Sequence, residues 1–220
     1  VVLPARNLAG AQALGLDLAV ACPMCFRRLS QSLQVLREQK VDDPWSLDSN
    51  LTVMDLSRLL TSDSMLGHIK TRVARPLTGL RVVCYYGCQV VRPPKVTIYE
   101  DYGNPRHLDL LVEVLGATAV DWSYKAVCCG ASLGISRRDI GLHLVNRLLT
   151  QALACGAQAI VVCCPLCQSN LDLLQQQAGK HNGGDAGVAL PILYYTELMG
   201  IAFGLDSIRP ALKGHLVDPM

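Results

Sequence analysis

The sequence predicts an α/β protein of two tandem repeats, with mostly parallel sheets flanked by helices and an incomplete first repeat. Short apolar runs alternate with segments of helical periodicity, which is typical of parallel sheets covered by helices. In addition, residues 18–33 resemble residues 160–175 at an offset of 142 residues, since each has an apolar run, a C-P-x-C sequence and a helical segment. We therefore predict an incomplete first unit at residues 1–76 and a complete second unit at residues 77–220.

The first unit begins with a predicted helix at residues 5–14, where Leu8 and Ala11 share an apolar face and Gly15 follows the helix end. The apolar run LDLAVA is a predicted strand that leads into the C-P-M-C sequence. The remaining predicted elements are a helix (from FRRL), a loop (DDPWSLDSN), and a strand followed by a helix (LTVMDLSRLLT).

A linker at residues 75–80 precedes the second unit, which opens with a predicted strand at Leu80–Tyr86. We expect Asn104 to cap the next helix, with Pro105 at its first position and Gly116 after its end. The remaining predicted elements are a strand (TAVDW), a helix at 136–154, a strand (AQAIVV), a helix after C-P-L-C, a loop (HNGGDAG), a strand (LPILYY) and a closing helix (TELMGIAFGL).

Composition and charge argue against several functional classes. The 220 residues include 20 Lys and Arg against 18 Asp and Glu, without a run of five basic residues, so we expect no nucleic-acid partner. The uncharged run Leu148–Leu171 is as long as a membrane span, but its proline and glutamines predict a helix end, a strand and a loop, so we expect no span. Ten cysteines without a visible secretion signal favour metal-binding or catalytic thiols in the reducing cytoplasm.

Five cysteines of the second unit follow predicted strands and are expected at one sheet edge. They are Cys88, Cys128, Cys129, Cys164 and Cys167. The carboxyl edge of an open parallel sheet is where such folds bind ligands. Five thiolates exceed the four of a structural zinc site, and adjacent cysteines suit the several irons of an iron–sulfur cluster, although zinc remains an alternative.

The other cysteines of the second unit are expected to be structural. Cys163 aligns with Ala21 in the first unit, Cys84 lies inside a predicted strand, and Cys155 precedes a glycine at a helix end. The histidines lie outside the cysteine motifs, and His107 is expected to be a surface or packing residue.

Cys22 and Cys25 of the first unit align with Cys164 and Cys167, which makes them half of a second cysteine site. At the same offset, counterparts of the three upstream cysteines would lie before Val1, so we expect an N-terminally truncated chain. A thioredoxin-like redox dithiol is the alternative for the C-P-M-C pair.

These motifs resemble a known family. Two adjacent cysteines followed by glycine, 39 residues after one cysteine and 34 residues before a C-x-x-C pair, resemble the cysteine-rich CCG domain. The stretches CYYGC, CCGASL, CPLCQSNLD and LPILYYTELMGIAFGL are similar to the catalytic B subunit of CoB–CoM heterodisulfide reductase and its bacterial homologues. On this resemblance, residues 1–76 are the C-terminal part of a first CCG domain and residues 77–220 a complete second one.

The resemblance implies a redox function. In this family each of two CCG domains holds a noncubane [4Fe–4S] cluster on five cysteines, and a disulfide is reduced between them. It implies that the five cysteines of the second unit hold one complete cluster, and that Cys22 and Cys25 belong to a second, partly present site. The implied partners are a C-type iron–sulfur subunit, an A-type flavin subunit and a small disulfide substrate. The alternative is a metal-stabilised electron-transfer or scaffold subunit, with iron–sulfur or zinc, and no substrate of its own.

Overall fold

The computed structural model describes residues 2–39, 50–99, 101–181 and 189–219. The strands are β1 (Leu18–Val20), β2 (Val53–Asp55), β3 (Arg81–Tyr85), β4 (Thr118–Val120), β5 (Ala159–Val162) and β6 (Ile192–Tyr194). The helices are α1 (Val2–Ala13), α2 (Pro23–Gln39), α3 (Leu56–Leu59), α4 (Asp63–Arg72), α5 (Pro94–Thr97), α6 (His107–Val114), α7 (Arg138–Ala154), α8 (Pro165–His181), α9 (Tyr195–Ala202) and α10 (Arg209–Leu212). The predicted loops DDPWSLDSN and HNGGDAG lie, apart from one edge residue each, outside the described residues.

All the strand pairs of the two sheets are parallel, which confirms the predicted α/β class. One sheet pairs β1 with β2, and the other has the order β4-β3-β5-β6. The central strands β3 and β5 are buried on both faces, so their sequences are nearly continuous apolar runs rather than alternating ones. Parallel pairing places the carboxyl ends of all strands of a sheet at the same edge.

The same order of elements occurs twice along the chain. Helix α1, strand β1, C-P-M-C, helix α2, strand β2 and helix α3 match α7, β5, C-P-L-C, α8, β6 and α9. Gly15 and Gly156 follow the equivalent helices α1 and α7 and both adopt a left-handed conformation, with φ of 66° and 71°. This recurrence supports two repeats, while the exact boundary between residues 76 and 77 stays a prediction.

The two repeats share one apolar core. Phe26 of α2 and Val53 of β2 pack in the same cluster as Cys163 after β5 and Leu198 of α9. A second cluster lies on the other face of the four-stranded sheet, between β3, β5, α7 and α8. The first repeat is therefore packed onto one face of the second.

The start of helix α6 differs from the prediction. The helix begins at His107 and its N-cap residue is Arg106, so the assignment of Asn104 as cap and Pro105 as first helical residue is wrong. Instead, the hydroxyl of Tyr86, the residue directly after β3, accepts hydrogen bonds from the backbone N–H groups of Leu108 (2.8 Å) and Asp109 (3.2 Å). A tertiary contact thus satisfies the free N–H groups that the prediction assigned to a local side chain.

A buried ion pair connects α6 to the loop after β4. The Lys125 ammonium lies 2.8 Å from an Asp109 carboxylate oxygen, and both side chains are almost fully buried. Asp109 also accepts a hydrogen bond of 2.5 Å from the Tyr86 hydroxyl. The Lys125 carbonyl in turn accepts the backbone N–H groups of Tyr86 and Gly87. These contacts fix the two segments that carry Cys88 and Cys128.

Candidate metal centre

The structure gathers the five predicted cysteines of the second repeat at the carboxyl edge of the four-stranded sheet. Cys88 follows β3, and Cys128 and Cys129 lie in the loop between β4 and α7. Cys164 precedes helix α8, and Cys167 lies in its first turn. Cys129, Cys164 and Cys167 are buried, whereas Cys88 and Cys128 are partly exposed.

The sulfur atoms of these cysteines form two groups in contact. The Cys129 and Cys167 sulfurs are 3.5 Å apart, and Cys167 also hydrogen-bonds to Cys164. Cys88 hydrogen-bonds to Cys128. The charges of Cys128 and Cys129 both act on the Cys88 thiol, so the pair and the trio lie close together in one thiol-lined site.

Hydrogen bonds within the site favour thiolates at three positions. The hydrogen bond from Cys88, together with the Gly130 N–H and the charge of Arg92, lowers the pKa of Cys128 to about 6. The hydrogen bond with Cys167 lowers the pKa of Cys129.

At the start of α8, the hydrogen bond from Cys167 and two backbone N–H groups lower the pKa of Cys164 to about 7. The pKa values of Cys88 and Cys167 are raised, because each shares a hydrogen bond with a sulfur that carries the charge. The thiolate is the form of cysteine that binds a metal.

The two faces of the sheet separate adjacent cysteines. Cys164 lies in the apolar cluster with Cys129 and Cys167, whereas Cys163 lies in the cluster on the opposite face. Cys163 is buried, and its sulfur contacts the Tyr86 carbonyl at 3.5 Å. Cys84 is likewise a fully buried core thiol. Cys84 and Cys163 therefore occupy core positions away from the five-cysteine site, as the sequence predicts.

Tyr85 and Gly87 also shape the site and were not identified from the sequence. The Tyr85 hydroxyl donates to the Val127 carbonyl at 2.6 Å and hydrogen-bonds to Cys129. Gly87 has a φ of 70°, and a Cβ atom there would lie 3.1 Å from the Cys167 sulfur. Side chains alternate between the two faces along β3, which places Val83 and Tyr85 on the same face as the thiols. This alternation could have identified Tyr85 from the sequence.

Cysteine thiolates are ligands of both zinc and iron–sulfur clusters. A tetrahedral zinc site takes four ligands around one point, whereas an iron–sulfur cluster distributes its cysteine ligands over several irons. Among the described residues, no group of three or more cysteine, histidine or carboxylate side chains is placed to hold a metal ion.

Cys22 and Cys25 lie at the junction of the repeats. Cys25 is exposed and Cys22 partly exposed. Partial desolvation, together with the hydrogen bond and the charge of Cys22, raises the pKa of the Cys25 thiol. The Tyr194 hydroxyl donates to the Ala21 carbonyl at 2.6 Å, and the Arg27 guanidinium donates to the Gln89 side chain at 2.8 Å. These bonds attach both ends of the C-P-M-C segment to the second repeat.

The sequence profile of the cysteine-rich CCG domain family matches residues 82–172. This range includes all five cysteines of the thiol-lined site. Residues 82–172 are thus similar to the CCG cysteine-rich domain. The matched range contains strands β3, β4 and β5 and the loops that carry the thiols, whereas β6 lies beyond it.

Relatives of known name align with nearly the whole chain. The 8-methylmenaquinol:fumarate reductase membrane anchor subunit of Wolinella succinogenes is 27% identical over 99% of this chain and 78% of its own. The B subunit of the ferredoxin:CoB-CoM heterodisulfide reductase of Methanosarcina mazei is 27% identical over 99% of this chain and 76% of its own. The B subunit of a ferredoxin/F420H2-dependent CoB-CoM heterodisulfide reductase from Methanosarcina acetivorans is 28% identical over the same shares. These relatives are named as subunits of reductases.

A solved structure supports the fold. A hypothetical protein from Helicobacter pylori superposes with a TM-score of 0.62 at 14% identity, covering 99% of this chain and 41% of that one. Within the ranges that the structure describes, no helix combines the length and the apolar character needed to cross a bilayer.

Proposed function

We propose that this chain is the B-type subunit of a heterodisulfide reductase-like complex, which reduces a disulfide to two thiols. The substrate would be CoM-S-S-CoB or an analogous small disulfide. The observation that carries the proposal is the five-thiol site at one sheet edge, within the CCG domain, where three sulfurs have lowered pKa values. Relatives named as B subunits of heterodisulfide reductases support the same reaction class.

The residues that would hold the cofactor are the five cysteines of the CCG domain, with Cys22 and Cys25 contributing to a second site. When bound, a noncubane [4Fe–4S] cluster would supply single electrons and an iron atom that accepts sulfur. Hydrogen bonds from Gly130 to Cys128, and from the first turn of α8 to Cys164, would hold these thiolates in place. Tyr85 and the buried wall of β3 would limit access of water on one side.

Electrons would come from partner subunits of the C type (iron–sulfur) and A type (flavin). The reaction consumes two electrons and two protons, breaks one S–S bond and forms two S–H bonds. Residues 1–76 and 77–220 would be two units of CCG type, an organisation supported by the recurrence of elements in both repeats.

Adjacent cysteines provide a matched test of the site. Protein purified without oxygen is analysed for iron, acid-labile sulfide and paramagnetic resonance in the wild type, Cys164→Ala and Cys163→Ala. We expect iron and sulfide in the wild type and in Cys163→Ala, and loss of the cluster signal in Cys164→Ala. Zinc alone after cluster reconstitution, or equal effects of the two substitutions, would contradict the proposal.

A second function is favoured by one comparison. The relative from Wolinella succinogenes is named as a subunit of a fumarate reductase, which points to an electron-transfer or scaffold role without a substrate of its own. Mixing the reduced protein with a disulfide separates the two functions. Oxidation of the cluster with release of thiols supports disulfide reduction, whereas a cluster that exchanges electrons only with protein partners supports the second function.

A further inference from the structure

A buried polar cluster, made of Asp55, Ser57, Tyr99 and His107, lies at the junction of the two repeats. The Ser57 hydroxyl hydrogen-bonds to the Asp55 carboxylate and lies 2.9 Å from Nε2 of His107. The Tyr99 hydroxyl lies 3.3 Å from the same nitrogen. Asp55 and Ser57 are each only 1% exposed. The cluster is therefore a continuous series of hydrogen-bonding groups, in which Asp55 and Ser57 are buried and His107 is partly exposed.

Helix capping explains only part of this arrangement. Asp55 is the N-cap residue of α3 and accepts the Arg58 backbone N–H at 3.3 Å, which is an ordinary capping role. Capping gives no reason for His107, which comes from α6 of the second repeat and contacts the Ser57 hydroxyl. These hydrogen-bonded side chains also do not resemble a hydrolase triad, because Ser57 is buried and lies between the acid and the imidazole instead of at one end.

The order of the groups allows a proton to pass without charging the imidazole. When Asp55 is ionised, Ser57 donates to its carboxylate and the Nε2–H of His107 donates to Ser57. When a proton binds Nδ1 of His107, the Nε2 proton moves to Ser57 and the Ser57 proton moves to Asp55. Asp55 is then a neutral acid, and His107 is neutral with its proton on Nδ1.

The burial of both ends suits this exchange. Burial raises the pKa of Asp55 to about 6, against the hydrogen bonds from Ser57 and the Arg58 N–H. Burial, with a smaller contribution from the charge of Arg58, lowers the pKa of His107 to about 3, so its ring is neutral at physiological pH. Asp55 therefore exchanges its proton near neutral pH while His107 changes only its tautomer.

The Asp55 end of this series lies near the C-P-M-C segment of the first repeat. Asp55 is paired in register with Val20, two residues before Cys22. It also lines a cavity of about 590 Å³ beside Phe26, the residue that follows Cys25. Asp55 interacts electrostatically with groups from several elements: Arg58 (α3), Tyr99 (after α5), Cys163 and Cys164 (after β5), Tyr194 (β6) and Tyr195 (α9), and it is linked to His107 (α6) through Ser57.

We propose that Asp55, Ser57 and His107 form a proton relay that supplies the edge carrying Cys22 and Cys25 during disulfide reduction. This inference rests on the proposed function, because each disulfide reduced takes up two protons as its two thiols form. In one passage a proton binds Nδ1 of His107 and a different proton leaves Asp55 toward the cavity, so one proton is delivered. Rotation of the Ser57 hydroxyl and transfer of the Nδ1 proton to Nε2 through water then restore the starting state. Two passages, with two electrons from the partner subunits, complete one disulfide.

The first test measures the tautomer of His107 and does not depend on enzymatic activity. Nitrogen-15 resonances of labelled histidine report the tautomer of His107 in the purified protein as pH is varied. We expect Nε2–H above about pH 6 and Nδ1–H below it, following the protonation of Asp55. Ser57→Ala should uncouple the tautomer from Asp55, whereas Ser57→Thr, which keeps the hydroxyl, should preserve the coupling. A tautomer that does not respond to pH in the wild type overturns the relay.

The second test measures disulfide reduction with an artificial electron donor across pH. Ser57→Ala should slow the reaction by about 10²-fold at alkaline pH, the lower range for general acid–base catalysis, with an unchanged cluster signal. His143→Gln, at an exposed position of α7, is the matched control and should leave the pH profile unchanged. If Ser57→Ala does not fold, Asp55→Asn and Ser57→Thr give the same comparison.

The two proposals fail in different ways. A wild-type protein that reduces no disulfide overturns the proposed function, while the histidine tautomer still reports on the relay. Normal disulfide reduction with an identical pH profile in Ser57→Ala overturns the relay and leaves the proposed function intact.

Discussion

Replacing Lys125 by Met should destabilise the protein strongly, because it leaves a carboxylate buried without its cation. The Asp109 side chain is 3% exposed and 2.8 Å from the Lys125 ammonium. Met retains the aliphatic packing of the lysine stem, so the change isolates the charge. Asp109 keeps its hydrogen bond from Tyr86, and the second carboxylate near Lys125, on Asp121, is 83% exposed and loses little. Breaking a buried ion pair costs about 3–5 kcal/mol, and the retained hydrogen bond places the expected loss near the lower end, at about 3 kcal/mol.

Urea unfolding followed by circular dichroism measures this loss. With a slope of about 2–3 kcal/mol per molar urea, the midpoint should fall by about 1–1.5 M. Adding Asp109→Asn to Lys125→Met should restore at least half of the lost stability, since a neutral amide is less costly to bury. Arg137→Met is the control, because its ion pair with Asp139 is exposed and should contribute less than about 1 kcal/mol. A loss below about 1 kcal/mol for Lys125→Met, or a double variant no more stable than the single one, would refute the reasoning.

Three further predictions concern backbone, proton and thiol chemistry. Gly130→Ala should lower the free energy of unfolding by about 1–3 kcal/mol in urea titrations, because the φ of Gly130 is 80° and a Cβ atom there would lie 3.0 Å from the backbone of Gly141. Gly10→Ala is the control and should not destabilise the protein, because Gly10 lies in open space on α1. Between about pH 4 and 6, Asp55→Asn should lose about 1.4 kcal/mol of stability per unit of falling pH in unfolding scans, because the lowered pKa of His107 then acts unopposed. The wild type should change little there, since stability from the raised pKa of Asp55 increases as pH falls. In metal-free protein, alkylation of Cys128 by iodoacetamide should follow a thiolate with a pKa of about 6, and a midpoint near that of a free thiol would contradict this.

The elements and the cysteine positions could be predicted because their signals are local. Apolar runs, helix-ending glycines and the C-P-x-C repeat each depend on a few neighbouring residues. The alignment of Cys163 with Ala21 predicted a core thiol, and the structure places Cys163 in the core.

The remaining features depend on contacts between distant parts of the chain. The first turn of α6 is set by Tyr86, 22 residues before Leu108, so a local cap could not be inferred. His107 was expected to pack or lie at the surface, but its partner Ser57 is 50 residues away. Sequence periodicity does not report which side chain from another element will meet a helix end.

Strand β5 is followed by two consecutive cysteines that face opposite sides of the sheet. Its pairing with β3 and β6 fixes Val161 beside Cys84 and Leu193. A slip of one residue would exchange the faces, and Cys163 would take the place of Cys164. The choice between two chemically identical thiols is thus made by the backbone ladder. Substitutions in the hydrogen-bonded neighbours of β5 could therefore alter which sulfur is available, without touching a cysteine.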